Sequence, residues 1–183
     1  NIYISTVSDA PASSGLGSSS AFCVGLLNAL YTYKNKSVSK ERLADEASYI
    51  EIEKMRRPIG KQDHYAAALG GFNYFKFLKN GRVEIYNVPE KNLITEMIFS
   101  NLLTFWTGIQ RDSTSVLEEQ NKNANHNYET LMMMRKQANE LYNLTSNNEY
   151  SIHEIGSIIN EGWMLKQKLA SNITNKLIES AYN

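Results

Sequence analysis

The sequence predicts a mixed strand-and-helix first part followed by a mainly helical second part, and three observations predict it. Short apolar runs at 2–7, 72–77 and 83–88 read as strands. Apolar residues recur at helical spacing from Ser18 to Tyr33 and again after Ser39. Beyond Thr107-Gly108 almost the whole chain carries a helical pattern. A composition shift near Asn92 separates the two parts, so the domains expected are 1–92 and 93–183.

The elements follow in order. Residues 2–7 form a short strand, and the Ser-, Gly- and Ala-rich stretch from Ser8 to Ser20 forms a loop. The helix from Ser18 to Tyr33 is expected to carry Phe22, Leu26, Leu27 and Leu30 on one side. Ser39 caps the next helix, with Glu41 in its first turn near the positive end of the dipole. That helix runs through Leu43, Ala44, Ala47, Ile50 and Ile52 until Pro58-Ile59-Gly60 breaks it. A short helix spans Asp63 to Leu69 and stops at Gly70-Gly71. Lys79-Asn80-Gly81 joins the two strands of a hairpin, because Asn-Gly tolerates the left-handed turn conformation. A further strand is expected within Met97 to Trp106. Ser151 and Glu154 have the spacing of a capping box at the start of a late helix. The run Met132-Met133-Met134 lies in a helical pattern and suits core or interface packing.

Bulk properties narrow the function classes. The chain has 183 residues, with 42% hydrophobic and 21% charged, an ordinary globular composition. Its 19 basic and 19 acidic side chains balance, which argues against nucleic acid or an anionic membrane as the main partner. The single cysteine, Cys23, rules out an intrachain disulfide and reads as a buried core thiol. No apolar run is long enough for a membrane span and no signal-peptide pattern opens the chain, so a cytoplasmic location is expected. His64, His126 and His153 have no metal-ligand spacing.

The most informative stretch is Pro11-Ala12-Ser13-Ser14-Gly15-Leu16-Gly17-Ser18-Ser19-Ser20-Ala21, between a strand and a helix. Glycines let successive backbone N–H groups turn into one concavity, and the following helix adds its unpaired N–H groups. Serine hydroxyls can bind phosphate oxygens or join a magnesium shell. The stretch is either such a phosphate cradle or a connector that caps a helix. It is not a Walker A loop, since no Gly-Lys-Ser/Thr closes it.

A second constellation is Glu51, Pro58, Gly60, Lys61, Gln62 and Asp63. A carboxylate late in one helix and another just past a Pro/Gly break can converge on one site. Phosphoryl transfer uses a carboxylate as a hard magnesium ligand and a second group to orient or deprotonate the attacking hydroxyl. On residue types alone, a solvated Glu51 on a helix face and an Asp63 that caps the next helix is the favoured reading.

In its exact order, Pro-x-x-x-Gly-Leu-Gly-Ser-Ser before an apolar helix resembles the ATP-phosphate loop of the GHMP kinases. The Pro58, Gly60 and Asp63 turn with Glu51 upstream resembles their acidic motif. Three longer stretches, SSSAFCVGLLNAL, PIGKQDHYAAALGG and TGIQRDSTSVLEEQ, are similar to the D-glycero-D-manno-heptose 7-phosphate kinases of that superfamily. Asn160-Glu161-Gly162-Trp163 with Leu165-Lys166 also matches, so the likeness runs through nearly the whole chain.

The resemblance implies an α+β fold, with an incomplete S5-like part followed by a helix-rich remnant of a ferredoxin-like part. It implies ATP and Mg2+ as cofactors. Pro11, Ser13, Ser14, Gly15, Leu16, Gly17, Ser18 and Ser19 become the nucleotide-phosphate loop, and Glu51 with a loop hydroxyl, that of Ser19 ahead of Ser18, the metal ligands. Asp63 becomes the base or an orienting residue. Lys61 either assists Asp63 and the transferring phosphoryl group or is a surface lysine. Gln62 and Arg111 are candidate substrate contacts, and Arg111 is equally an ordinary surface or capping arginine.

The implied reaction transfers the ATP γ-phosphate to the anomeric hydroxyl of a heptose 7-phosphate, giving a 1,7-bisphosphate for cell-surface polysaccharide. The alternatives are a GHMP kinase for another sugar such as fucose, and a non-catalytic sugar- or nucleotide-binding module of the same fold. The family's first and third motifs are absent from these 183 residues. The expectation is therefore a piece that is weakly active or inactive by itself and that self-associates through uncovered apolar surface.

Overall fold

A computed structural model describes residues 3–7, 15–88, 93–108, 113–147 and 151–182. The architecture is mixed α+β: the described residues form one two-stranded sheet and a series of helices. Contacts divide the chain into two compact units, Asn1–Leu69 with Gly108–Thr114, and Gly70–Thr107 with Ser115–Asn183. The hairpin thus belongs to the second unit, although the composition shift lies after it at Asn92.

In the first unit, α1 spans Ser18–Tyr33, α2 spans Lys40–Tyr49 and α3 spans Gln62–Leu69. The Ser39 side chain accepts the Arg42 N–H at 3.2 Å and caps α2, as the sequence predicts. Instead of ending, α2 runs on as a π-helical turn over Ile50–Lys54. Gly70 and Gly71, both at positive φ, stop α3. Val24, Leu43 and Ala47 form the buried centre, with Cys23, Leu27, Tyr31, Val38 and Ala68 packed against it.

The buried face of α1 is not the expected one. It runs through Ser20, Cys23, Val24, Leu27 and Tyr31, and Phe22 is exposed. The helix is apolar nearly all round, so its periodicity does not choose a face. Packing against α2 makes the choice. Tyr65 is buried on α3 and donates to Asp45 Oδ1 at 2.6 Å. Burial and that bond push its phenol well above the usual tyrosine range.

The second unit contains β1 (Phe72–Phe77) and β2 (Val83–Val88), antiparallel, with Phe72 opposite Val88 and Tyr74 opposite Tyr86. Gly81, at φ 83°, closes the predicted turn. Its helices are α4 (Leu93–Ser100), α5 (Ser113–Lys122), α6 (Tyr128–Asn147), α7 (Ile152–Lys166) and α8 (Lys176–Tyr182). Val88, Ile98 and Ile155 make one core, and Val116, Leu169, Ala170 and Ile173 another. Tyr142 stacks on Tyr74 with ring centres 4.5 Å apart. Ser151 accepts the Glu154 N–H at 3.1 Å and caps α7. Met134 packs against the second core, whereas Met132 and Met133 are exposed.

Two expected strands are corrected. Residues 3–7 are not a strand: among the described residues the only ladder joins β1 to β2. An extended segment without a neighbour has no partner for its N–H and C=O groups. Met97 to Ser100 is the end of α4, because Thr95 and Ile98, three residues apart, turn inward together. Residues 102–107 follow as irregular chain with Leu103 and Phe105 exposed.

Candidate active site

The site is built where α1 begins, where α2 ends and where α3 begins. Gly15 and Gly17 both adopt left-handed φ, 76° and 68°, which turns the chain into the first turn of α1 at Ser18. The Gly17 carbonyl accepts the Ala21 N–H at 3.0 Å, the first bond of that helix. The first-turn N–H groups of Ser18, Ser19 and Ser20 have no partner within the helix. They present a positive dipole end beside two serine hydroxyls.

Glu51 lies in the π-helical turn and is only 3% exposed, while Glu53 points out. Its carboxylate is held from four directions. Ser19 donates to Oε1, and the Arg57 guanidinium reaches the same oxygen at 3.1 Å. Ser20 donates to Oε2 at 3.2 Å, and His64 Nε2 lies 2.8 Å from Oε2. Burial alone would raise the Glu51 pKa. The hydrogen bonds from Ser19, His64 and Ser20 outweigh it, and the carboxyl titrates below the usual range. Burial and the neighbouring Glu51 charge push the Cys23 thiol upward, against a smaller opposing effect of Arg57. An inert, part-buried thiol is the expected result.

Arg57 reaches Glu51 through an unusual backbone. Met55 N–H bonds Ile50 O at 2.9 Å, closing the π turn. Arg56 then adopts φ 54°, a left-handed conformation rare for a side-chain-bearing residue. That reversal returns Arg57, whose N–H bonds Glu51 O at 3.0 Å and whose Nη1 donates to Ser19 Oγ at 2.8 Å.

Asp63 opens α3 and packs on the Gly17 backbone. A Cβ placed at Gly17 would meet Asp63 Cγ at 3.4 Å and Oδ2 at 3.5 Å. The exposed Asp63 carboxylate therefore stands beside the Gly17 backbone. Lys61, beside it in sequence, turns to α2, with its Nζ 3.9 Å from Asp45 Oδ1. Gln62 is exposed. Gly15, Leu16, Gly17, Ser18 and Ser19 form the described end of the loop. Pro11, Ser13, Ser14 and Arg111 lie outside the described residues.

Three participants were not foreseen from the sequence: Ser20, Arg57 and His64. His64 had a usable signal, since it precedes Ala68 by four residues on the inward side of α3. Arg57 had none, because its direction depends on the left-handed turn at Arg56.

Residues 1–71 match the family described as GHMP kinases N terminal domain. Over those residues the chain is similar to the N-terminal domain of the GHMP kinases. Its relatives include the D-glycero-alpha-D-manno-heptose 7-phosphate kinase of Campylobacter jejuni, 28% identical over 180 residues. That alignment covers 97% of this chain and 52% of the relative, so the chain spans about half the length of the curated relative it matches. Among solved structures, a D-glycero-D-manno-heptose 1-phosphate kinase from Bacteriodes thetaiotaomicron superposes with a TM-score of 0.68 at 28% identity. The superposition covers 90% of this chain and 48% of that one.

The residues present fit magnesium. Ser19 Oγ and Glu51 Oε1 converge as hard oxygen donors, and the Arg57 guanidinium already places a positive charge against both. Among the described residues no cluster of three His, Cys, Asp or Glu side chains could hold a metal. The remaining ligands of a magnesium ion here would be water and phosphate, as that metal commonly takes.

Proposed function

We propose that the protein is an ATP-dependent sugar-phosphate kinase acting on the anomeric hydroxyl of D-glycero-D-manno-heptose 7-phosphate. The observation that carries the proposal is the meeting of Ser19 and Glu51 beside the loop against which Asp63 packs. In this reading the loop from Pro11 to Ser19 and the start of α1 bind the ATP phosphates through N–H groups and hydroxyls. Glu51 and Ser19 hold magnesium, which neutralises phosphate charge when bound. Asp63 orients the acceptor hydroxyl and takes its proton as the oxygen bonds to the γ-phosphorus and the bond to the ADP oxygen breaks. Gln62 and Arg111 are proposed as acceptor contacts, and Lys61 as an aid to Asp63 and the transferring phosphoryl group once it leaves Asp45.

The two named relatives support a heptose phosphate but carry different phosphate positions in their names. The 7-phosphate acceptor and 1,7-bisphosphate product therefore rest on the sequence resemblance. Residues 1–92 are proposed as the nucleotide-binding part and 93–183 as part of the second family domain. A cytoplasmic setting is proposed on the same basis. No helix among the described residues is long and apolar enough to cross a membrane.

The test is magnesium-dependent ADP release by the intact protein over a panel of sugar phosphates. Turnover with heptose 7-phosphate alone is expected. Turnover with fucose or another sugar instead would overturn the substrate, and ATP binding without any turnover would favour the non-catalytic module.

A further inference from the structure

His64 is fully buried, at 0% exposure, on the inward side of α3. A carboxylate oxygen accepts only, so the 2.8 Å contact to Glu51 Oε2 places the hydrogen on Nε2. The other ring nitrogen, Nδ1, is buried with no hydrogen-bond partner among the described residues. A buried polar atom without a partner is costly, and the site keeps that cost where an apolar side chain would avoid it. The imidazole therefore has one polar contact there, and that contact is with Glu51.

The contacts divide the carboxylate. Oε2 takes His64 and Ser20, both inside the unit, while Oε1 takes Ser19 and Arg57 at the loop. A carboxylate on a flexible side chain would otherwise turn and exchange its two oxygens. Two donors fixed on different helices, α1 and α3, prevent that. One oxygen is thus committed to the interior and the other is presented to the loop.

We propose that His64 is a positioning residue for the metal site, anchoring Glu51 Oε2 so that Oε1 is aimed at the cation shared with Ser19. The proposal rests on the reading of Glu51 as a magnesium ligand. His64 touches neither nucleotide nor acceptor in this scheme and acts only through Glu51. Partners that orient metal-binding side chains from behind have this effect in other proteins.

The experiment uses the chain with Mn2+ as the probe ion, followed by electron paramagnetic resonance without nucleotide. His64→Leu should weaken Mn2+ binding by about 10–100-fold, while His64→Gln, whose amide can still donate, should stay within about threefold of the parent. A folded His64→Leu protein with parental Mn2+ affinity overturns the proposal. A second measurement needs no variant at His64. The His64 ring nitrogen resonances of the unaltered chain should shift on saturation with Mg2+, and should not shift in Glu51→Gln. Ring signals unmoved at saturating Mg2+ overturn the proposal. Parental Mn2+ affinity in Glu51→Gln would instead overturn the metal reading of Glu51, and this proposal with it.

Discussion

Ser19 and Glu51 stand 32 positions apart in the sequence, and the Ser19 hydroxyl donates directly to Glu51 Oε1. The bond joins the glycine-serine loop to the π-helical turn. Glu51→Ala removes the acceptor for Ser19, Ser20, His64 and Arg57 together. Leaving buried donors unpaired costs about 2–3 kcal/mol. Urea unfolding should show that loss, together with loss of Mn2+ binding.

Arg57 tests competition for the same oxygens. Its guanidinium is partly exposed and bridges Ser19 Oγ and Glu51 Oε1. Arg57→Gln removes a positive charge from beside the proposed metal ligands. Mn2+ affinity without nucleotide should rise, by about tenfold at most given solvent screening, while stability falls by under ~1 kcal/mol. Calorimetric titration of the variant checks the first, and denaturant unfolding the second.

Gly17 holds two constraints at once, a φ of 68° and contact with Asp63. Gly17→Ala should destabilise the chain by about 1–2 kcal/mol through the left-handed backbone alone. The new methyl also presses on the Asp63 carboxylate. Gly15→Ala has the backbone strain but open space around its Cβ, so it separates the two effects. If the contact matters, Gly17→Ala loses more ADP-forming activity than Gly15→Ala at equal stability loss.

Acid should weaken the first unit through Glu51. Its folded pKa is below the ordinary 4.5, so the unfolded chain binds the proton more readily. The stabilisation is fully present above that value and is lost as pH falls through the lower folded pKa. Stability measured between neutral pH and strongly acid conditions should drop mainly below about pH 4.5, and Glu51→Gln should flatten part of that drop.

Much of the local structure was legible in the sequence because its signals are local. Ser39 and Ser151 cap their helices, Asn80-Gly81 closes the hairpin, and Gly70-Gly71 stops α3. Glu51 could be preferred over Glu53 from spacing, and it is the buried one. The misreadings concern partners that a sequence does not display. A strand at 2–7 needs a neighbour, and none of the described residues pairs with 3–7. Short apolar runs do not separate helix from strand, so the sequence at Met97–Ser100 fits a strand as well as the end of α4 that it forms. Arg57 joins the site only through a backbone reversal at Arg56 that no residue type there encodes.

The most direct test of the central claim is magnesium-dependent ADP release with heptose 7-phosphate, the intact protein beside its Asp63→Asn variant. Asn cannot take the hydroxyl proton, so the account predicts turnover in the parent and a loss of about 10²–10⁴-fold in the variant, with ATP binding kept. Turnover equal in the two proteins, or none in the parent although ATP binds, would contradict it.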